Sequence, residues 1–149
     1  MPIKRITPKS NFQRFVMQRV MTIEEVIIRN LIYLGEECVN KAREDGNYTD
    51  RSGNLRGSIG YVIVANGEIE RLSGFSKSYG GKDGRGIKEG EDFAKSLIKK
   101  YQTGYALIVV AGMNYAAYVE AINNYVVLTS AELYARKRLP IIMRKLKTV

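Results

Sequence analysis

The chain has 149 residues with one cysteine and no histidine, and its 24 Lys and Arg outweigh 15 Asp and Glu to give a net charge of +9. That composition leaves no internal disulfide, no Ser-His-Asp or Cys-His arrangement, and no zinc site built on imidazoles or several thiolates. With 45% hydrophobic and 26% charged residues, it has the makeup of one globular domain.

The positive excess is segregated. Residues 1–19 carry five basic and no acidic groups, residues 76–88 four against one, and residues 129–149 six against one. Such patches attract polyanions or an acidic protein surface, although solvated faces look the same in a sequence. No apolar run approaches the ~20 residues of a membrane span. The N-terminus, MPIKRITPKSNFQRF, lacks the apolar stretch of a secretory signal. Synthesis in a reducing cytoplasm is the expectation, with Cys38 as a small buried hydrophobe.

Residues 1–20 hold Pro2 and Pro8 among basic side chains and are expected to form a flexible basic arm and pre-helix. Phe12, Phe15, Val16 and Val20 already recur at helical spacing. Ile23, Ile27, Leu31, Leu34 and Cys38 then follow at steps of four, four, three and four, which predicts one long helix near 22–45, preceded by a separate or continuous helical turn. Thr22 with Glu25 reads as a capping box, and Gly46 as a stop. From Leu55 to Ala65 the period changes to two. Ile59, Tyr61 and Ile63 share one face; Ser58, Gly60, Val62 and Val64 share the other. Asn66-Gly67 is the favoured pair for a type I′ hairpin turn, and a returning strand is expected over Glu68–Phe75.

Residues 76–90, SKSYGGKDGRGIKEG, hold five glycines and four basic side chains, so a mobile loop is expected. It is not a phosphate-cradling loop, because Lys82 is followed by Asp83 and the upstream glycine is missing. A helix is expected over Glu91–Tyr101. The nearly all-apolar run Tyr105–Ala111 is expected as a central strand. Gly112–Glu120 should form a turn and a short helix, and Val126–Leu128 a last strand. Thr129 with Glu132 makes a second capping box before a final helix carrying Leu133, Leu139, Ile142, Met143 and Leu146. Pro140 should kink that helix or restart it. The order predicts a single α+β domain over 21–149. A small, mostly antiparallel sheet with a β-hairpin would be packed on one face by a long N-terminal helix, a middle helix and a C-terminal helix.

Two blocks carry a resemblance. Arg51-Ser52-Gly53-Asn54-Leu55-Arg56-Gly57-Ser58-Ile59 resembles the T/S-G-x-L-R-x-S-I signature of the tail-completion (tail-terminator, or neck) proteins of long-tailed double-stranded DNA bacteriophages. Tyr115-Ala116-Ala117-Tyr118-Val119-Glu120 is similar to that family's Y-A-x-Y-V-E, and the two blocks stand in the expected order. The family's aromatic-Gly-Thr continuation is replaced by Ala121-Ile122-Asn123, and its Pro-aromatic block before the last helix is missing, as in a divergent branch. The resemblance implies a virion structural protein made in the bacterial cytoplasm, without cofactor or catalysis. It would form a ring, commonly a hexamer, that ends the tail tube and joins it to the head. Neck and tail-tube proteins would be its partners, with no membrane involved.

Under that resemblance Gly53, Leu55, Arg56, Ser58, Tyr115, Ala116, Tyr118 and Glu120 are the motif and interface candidates. Leu55 would anchor the core, and Arg56 is expected either to bridge to Glu120 or to stay solvated. Tyr115 and Tyr118, three apart, suit packing within the subunit or an interface between subunits. Lys77, Lys82, Arg85 and Lys88 are the candidates to face the ring lumen and passing DNA, through phosphate contacts without base readout. The glycine-rich loop is expected to order on assembly, so that deleting 77–87 would spare the subunit fold. Two other readings compete. A nucleic-acid-binding module would use the basic loop and termini, although no helix-turn-helix or zinc finger appears. An enzyme would draw on Asp50, Asp92, Glu120, Ser52 or Ser58, none with a recognisable base at informative spacing.

Overall fold

A computed structural model describes residues 8–76, 83–122 and 125–148. Its elements are helix α1 (Lys9–Asp45), the short helix α2 (Asn54–Gly57), the hairpin β1 (Ile59–Ala65) and β2 (Glu68–Ser73), helix α3 (Arg85–Leu97), strand β3 (Tyr105–Ala111), helix α4 (Ala116–Ala121) and helix α5 (Thr129–Leu146). A 3-10 turn, Ile98–Lys100, ends α3. The three strands form one antiparallel sheet in the order β2-β1-β3. This is the expected small α+β fold.

The two faces of β1 are sorted as its alternation demands. Ile59, Tyr61 and Ile63 join Leu31, Leu34, Cys38 and Val39 of α1 in the main core. Val62 and Val64 turn the other way, onto Ala94 of α3 with Val110 of β3. Helices therefore cover both faces of the sheet, not one: α1 and α5 on the first, α3 on the second. The reason is β1 itself, which is apolar on both sides and buried along six of its seven residues. The hairpin turn is as expected, with Asn66 and Gly67 at φ 51° and 87°. Its tip is tied to the start of β3 by Asn66 N–H donating to Gly104 O at 2.8 Å and Gly104 N–H donating to Asn66 Oδ1 at 2.9 Å.

Helix α1 is longer than its caps suggested. Its 37 residues span ~55 Å and include most of the expected arm. Thr22 is no cap: it lies inside the helix and donates to Gln18 O at 2.9 Å. Helix α5 runs antiparallel along α1. Cys38 Sγ contacts Ala131 O at one end, and Leu146 shares a hollow with Ile27 at the other. Between them the hydroxyls of Tyr33 and Tyr134 face Glu37, which raises the pKa of both tyrosines. Pro140 neither splits nor restarts α5. Burial, with a smaller contribution from Glu37, pushes the Cys38 thiol up to about 11.

Three further expectations fail. Val126–Leu128 is not a strand. Helix α3 begins at Arg85, inside the segment read as a loop. Glycine there serves close packing: a Cβ on Gly86 would stand 2.3 Å from Asn54 O, and one on Gly112 2.3 Å from Gly90 Cα. Finally, Tyr105–Ala111 lies at the edge of the sheet, not its centre.

Candidate assembly interface

The two motif blocks meet, and Ser58 is the joint. Its Oγ donates to Leu55 O at 2.8 Å and accepts from Met113 N–H at 3.3 Å, while its carbonyl accepts from Gly112 N–H at 3.1 Å. Gly53 sits at φ 73° and opens α2. Asp50 receives the amide of Arg56 at 2.8 Å. Leu55 and Ala116 are buried in the main core. Tyr115 packs against that core and its pKa is raised, burial being the main cause. Tyr118 is 70% exposed.

Arg56 and Glu120 do not pair. Arg56 stacks on the Tyr48 ring at 4.6 Å and donates to Gly46 O at 2.8 Å. Burial raises the Tyr48 hydroxyl to about 12 despite that neighbouring charge. Glu120 instead caps α5. One of its oxygens accepts from the amides of Val127, Leu128 and Thr129 and from the Thr129 hydroxyl. Partial burial works against its charge, but these hydrogen bonds outweigh it and hold the pKa below the ordinary carboxylate value. The predicted Thr129–Glu132 box is therefore replaced, and Glu132 pairs with Arg136 at 2.6 Å. A helix N-terminus, with its unpaired amides and positive dipole end, explains why a carboxylate belongs there.

A polar contact missing from the sequence reading locks the same region. Arg43, on α1, donates to Arg56 O at 3.2 Å, to Ile59 O at 3.0 Å and to Gly74 O. Its position on the polar side of a long helix gave no sign of this.

Of the four lumen candidates, Lys77 and Lys82 lie outside the described residues. Arg85 is bridged to Glu89 at 2.7 Å, and Lys88 is exposed on α3. Deleting 77–87 would remove the first turn of α3, including Gly86, whose amide donates to Asn54 Oδ1 at 3.2 Å. The expectation that such a deletion spares the fold is withdrawn.

No protein-family model, curated protein or solved structure matches the chain.

Among the described residues, two surfaces stand out as open. The first is the N-terminal part of α1. All residues from 8 to 22 are exposed, and Phe12, Phe15, Val16, Met17, Val20 and Met21 are each 42–66% accessible. Phe12, Val16 and Val20 continue the seam that farther along packs against α5 and the sheet, with Phe15 on one side of it and Met17 and Met21 on the other. Helix α5 ends beside Ile27, so the seam runs on beyond its cover.

The second surface is a trough along β3. Tyr105 and Leu107 line a hollow of about 460 Å³ with Ala135, Leu139 and Met143. Leu107 and Val109 line the next, of about 290 Å³, with Leu128 and Ala135. Val109, Val110 and Ala111 line a third, of about 490 Å³, with Phe93 and Leu97. Neighbouring hollows share lining residues, Leu107 and Ala135 between the first two and Val109 and Leu128 between the last two. Glu120 borders the last, but Tyr115 and Tyr118 do not line it.

The strand edge beneath that trough is unprotected. In an antiparallel ladder, residues alternate between exchanging both hydrogen bonds with the partner and facing away. Gly112 N–H donates to Ser58 O, and Asn66 N–H to Gly104 O. With the register Gly60↔Val110, Val62↔Ile108 and Val64↔Ala106, this leaves the amides and carbonyls of Tyr105, Leu107, Val109 and Ala111 directed away from β1. No described strand pairs with them. The opposite edge, β2, carries Glu68, Glu70 and Arg71 and faces a register shift at Ile63/Val64, the usual guards against pairing. β3 has no charge, proline or bulge.

Proposed function

We propose that the chain is a structural subunit of the head–tail neck of a long-tailed double-stranded DNA phage, associating with copies of itself into a ring that ends the tail tube and meets the head. The motif resemblance supplies the family. The observation that carries self-association is the uncovered apolar half of the α1 seam. An isolated subunit leaves six large apolar side chains in water on one helix, and such patches mark interaction sites. The motif residues support a scaffold role: Ser58, Leu55, Ala116 and Glu120 all act within the subunit, joining strand to turn and capping a helix.

A nucleic-acid-binding module is the second reading, favoured by exposed Lys137, Arg144, Lys145 and Lys147 on or just after α5. Retention on duplex DNA that falls steeply with salt, from a chain that stays monomeric, would favour it. The neck reading is tested by electron microscopy of the purified full chain, with closed rings expected. It is tested also by antibody-gold labelling of particles of the phage that encodes it, with gold expected at the head–tail junction. Particles that lack the chain, or carry it elsewhere, refute the neck assignment.

A further inference from the structure

We infer that the arm of one subunit, residues 9–21 of α1, lies in the β3 trough of the next. The inference deepens the reading above and rests only on its self-association, not on the phage assignment.

Two uncovered apolar surfaces stand on one molecule. They do not meet within it, because the arm is the straight continuation of a helix whose other half is already packed. Their dimensions match. The arm's thirteen helical residues span ~20 Å, and the seven residues of β3 span ~23 Å. Their chemistry matches as well. Phe12, Phe15, Val16 and Val20 would meet a floor of Leu107 and Val109 and walls that include Leu139 and Met143. Covering a bare strand edge with a helix is an established way to silence it, and here the only uncommitted long helical face among the described residues belongs to another copy.

At about 100° per residue, Phe12, Phe15, Val16 and Val20 share one broad face of the arm, while Met17 and Met21 turn to its side. Those four side chains, 42–66% exposed, offer on the order of 350–400 Å². With a like area on the trough each contact buries roughly 700–800 Å², the size of a weak contact that gains from being repeated around a ring. Arm and trough are different surfaces, so the contact is head-to-tail and propagates until rotation closes it. In a closed ring every subunit uses both.

The test is complementation between two full-length variants, Phe15→Glu and Met143→Glu, both at exposed positions. Circular dichroism and thermal melting first establish that each keeps the wild-type fold. Each is expected to weaken self-association by more than about 30-fold and to appear monomeric by mass photometry and sedimentation where wild type is oligomeric. Mixed equally, they should form a 1:1 complex of twice the 16.8 kDa chain mass that grows no further, since the intact arm of Met143→Glu fits the intact trough of Phe15→Glu. Absence of that complex overturns the inference, as does a Met143→Glu chain that assembles like wild type. A wild-type chain that stays monomeric up to its solubility limit overturns it too. Rings that form while complementation fails would leave self-assembly standing and this contact wrong. Complementation in a chain missing from the neck of its phage would leave this contact standing and the neck assignment wrong.

Discussion

Gly90→Ala sets two effects against each other. Gly90 lies inside α3, where alanine is favoured over glycine by about 1 kcal/mol, so propensity alone predicts a more stable protein. The surroundings oppose it. A Cβ at position 90 would stand 2.6 Å from Phe75 Cε1 and 2.7 Å from Ser58 O, where carbon contacts normally settle near 3.5–4.0 Å. The Phe75 ring has little room to yield, because it also covers Gly60, whose Cβ position lies 2.5 Å from the ring. The Ser58 carbonyl is fixed by Gly112 N–H. Helix α3 would have to lift by about 1 Å from the Val62, Val64 and Val110 face. Overpacking costs about 1–3 kcal/mol; with an aromatic ring and a fixed carbonyl both in the way the upper part, about 2–3 kcal/mol, applies, and the propensity gain of about 1 kcal/mol leaves a net loss of about 1–2 kcal/mol. For a chain of this size that lowers Tm by about 2–8 °C. Urea titration and thermal melting followed by circular dichroism would measure it, with an unchanged urea slope. Equal or greater stability than wild type would refute the reasoning.

Two other substitutions test the polar supports. Arg43→Met removes the donor to three backbone carbonyls and should cost about 2–4 kcal/mol in urea unfolding; Arg43→Lys should recover only part, since an ammonium lacks the planar fork that reaches all three. Glu120→Gln tests the α5 cap through pH. The folded pKa of Glu120 is depressed, so its charge stabilises above the unfolded-state value and that gain is lost as pH falls through the folded value. Wild type should therefore exceed Glu120→Gln by about 1 kcal/mol at pH 7, with the gap closing in acid; a gap that does not change with pH would contradict the charged cap.

Periodicity made the chassis legible. The seam from Ile23 to Cys38, the alternation from Ser58 to Val64 and the Asn66-Gly67 turn each follow from local geometry, and each stands where expected. The errors share another origin. Glycine has two uses, freedom and closeness, and a sequence does not say which. Residues 84–90 looked like loop because Gly86 and Gly90 weaken a helix, yet they are the positions where α3 touches Asn54 and Phe75. Likewise an apolar strand looks central because burial is the usual reason for seven such residues. β3 has that composition at an edge, where no described strand pairs with it. The start of α1 is hidden for a related reason: Thr22 and Glu25 have the spacing of a capping box, yet the helical phase of Phe12, Val16 and Val20 runs through them unbroken and Thr22 bonds back to Gln18. Arg56 and Glu120 are expected as a pair from their chemistry, but their actual partners depend on tertiary placement that spacing does not encode.

A rigid arm has a consequence that a flexible tether would not. If the stripe from Phe12 to Met21 docks as a continuation of α1, the angle between arm and trough is set by the body of the subunit, and the helical phase between them must be kept. Two alanines inserted between Thr22 and Ile23 would turn the arm by about 200° and advance it by ~3 Å. The stripe would then face away from its site, and assembly should be lost. Seven alanines at the same place would turn it by two near-complete revolutions, to within about 20° of its original direction, and displace it by roughly 10 Å. The face is restored, so association should return, with the changed reach altering the size of the assembly. A flexible tether predicts the opposite order, with the shorter insertion the milder. Mass photometry of the two insertions beside wild type separates the cases. Assembly that survives the two-residue insertion would show that the phase of α1 carries no information about the contact.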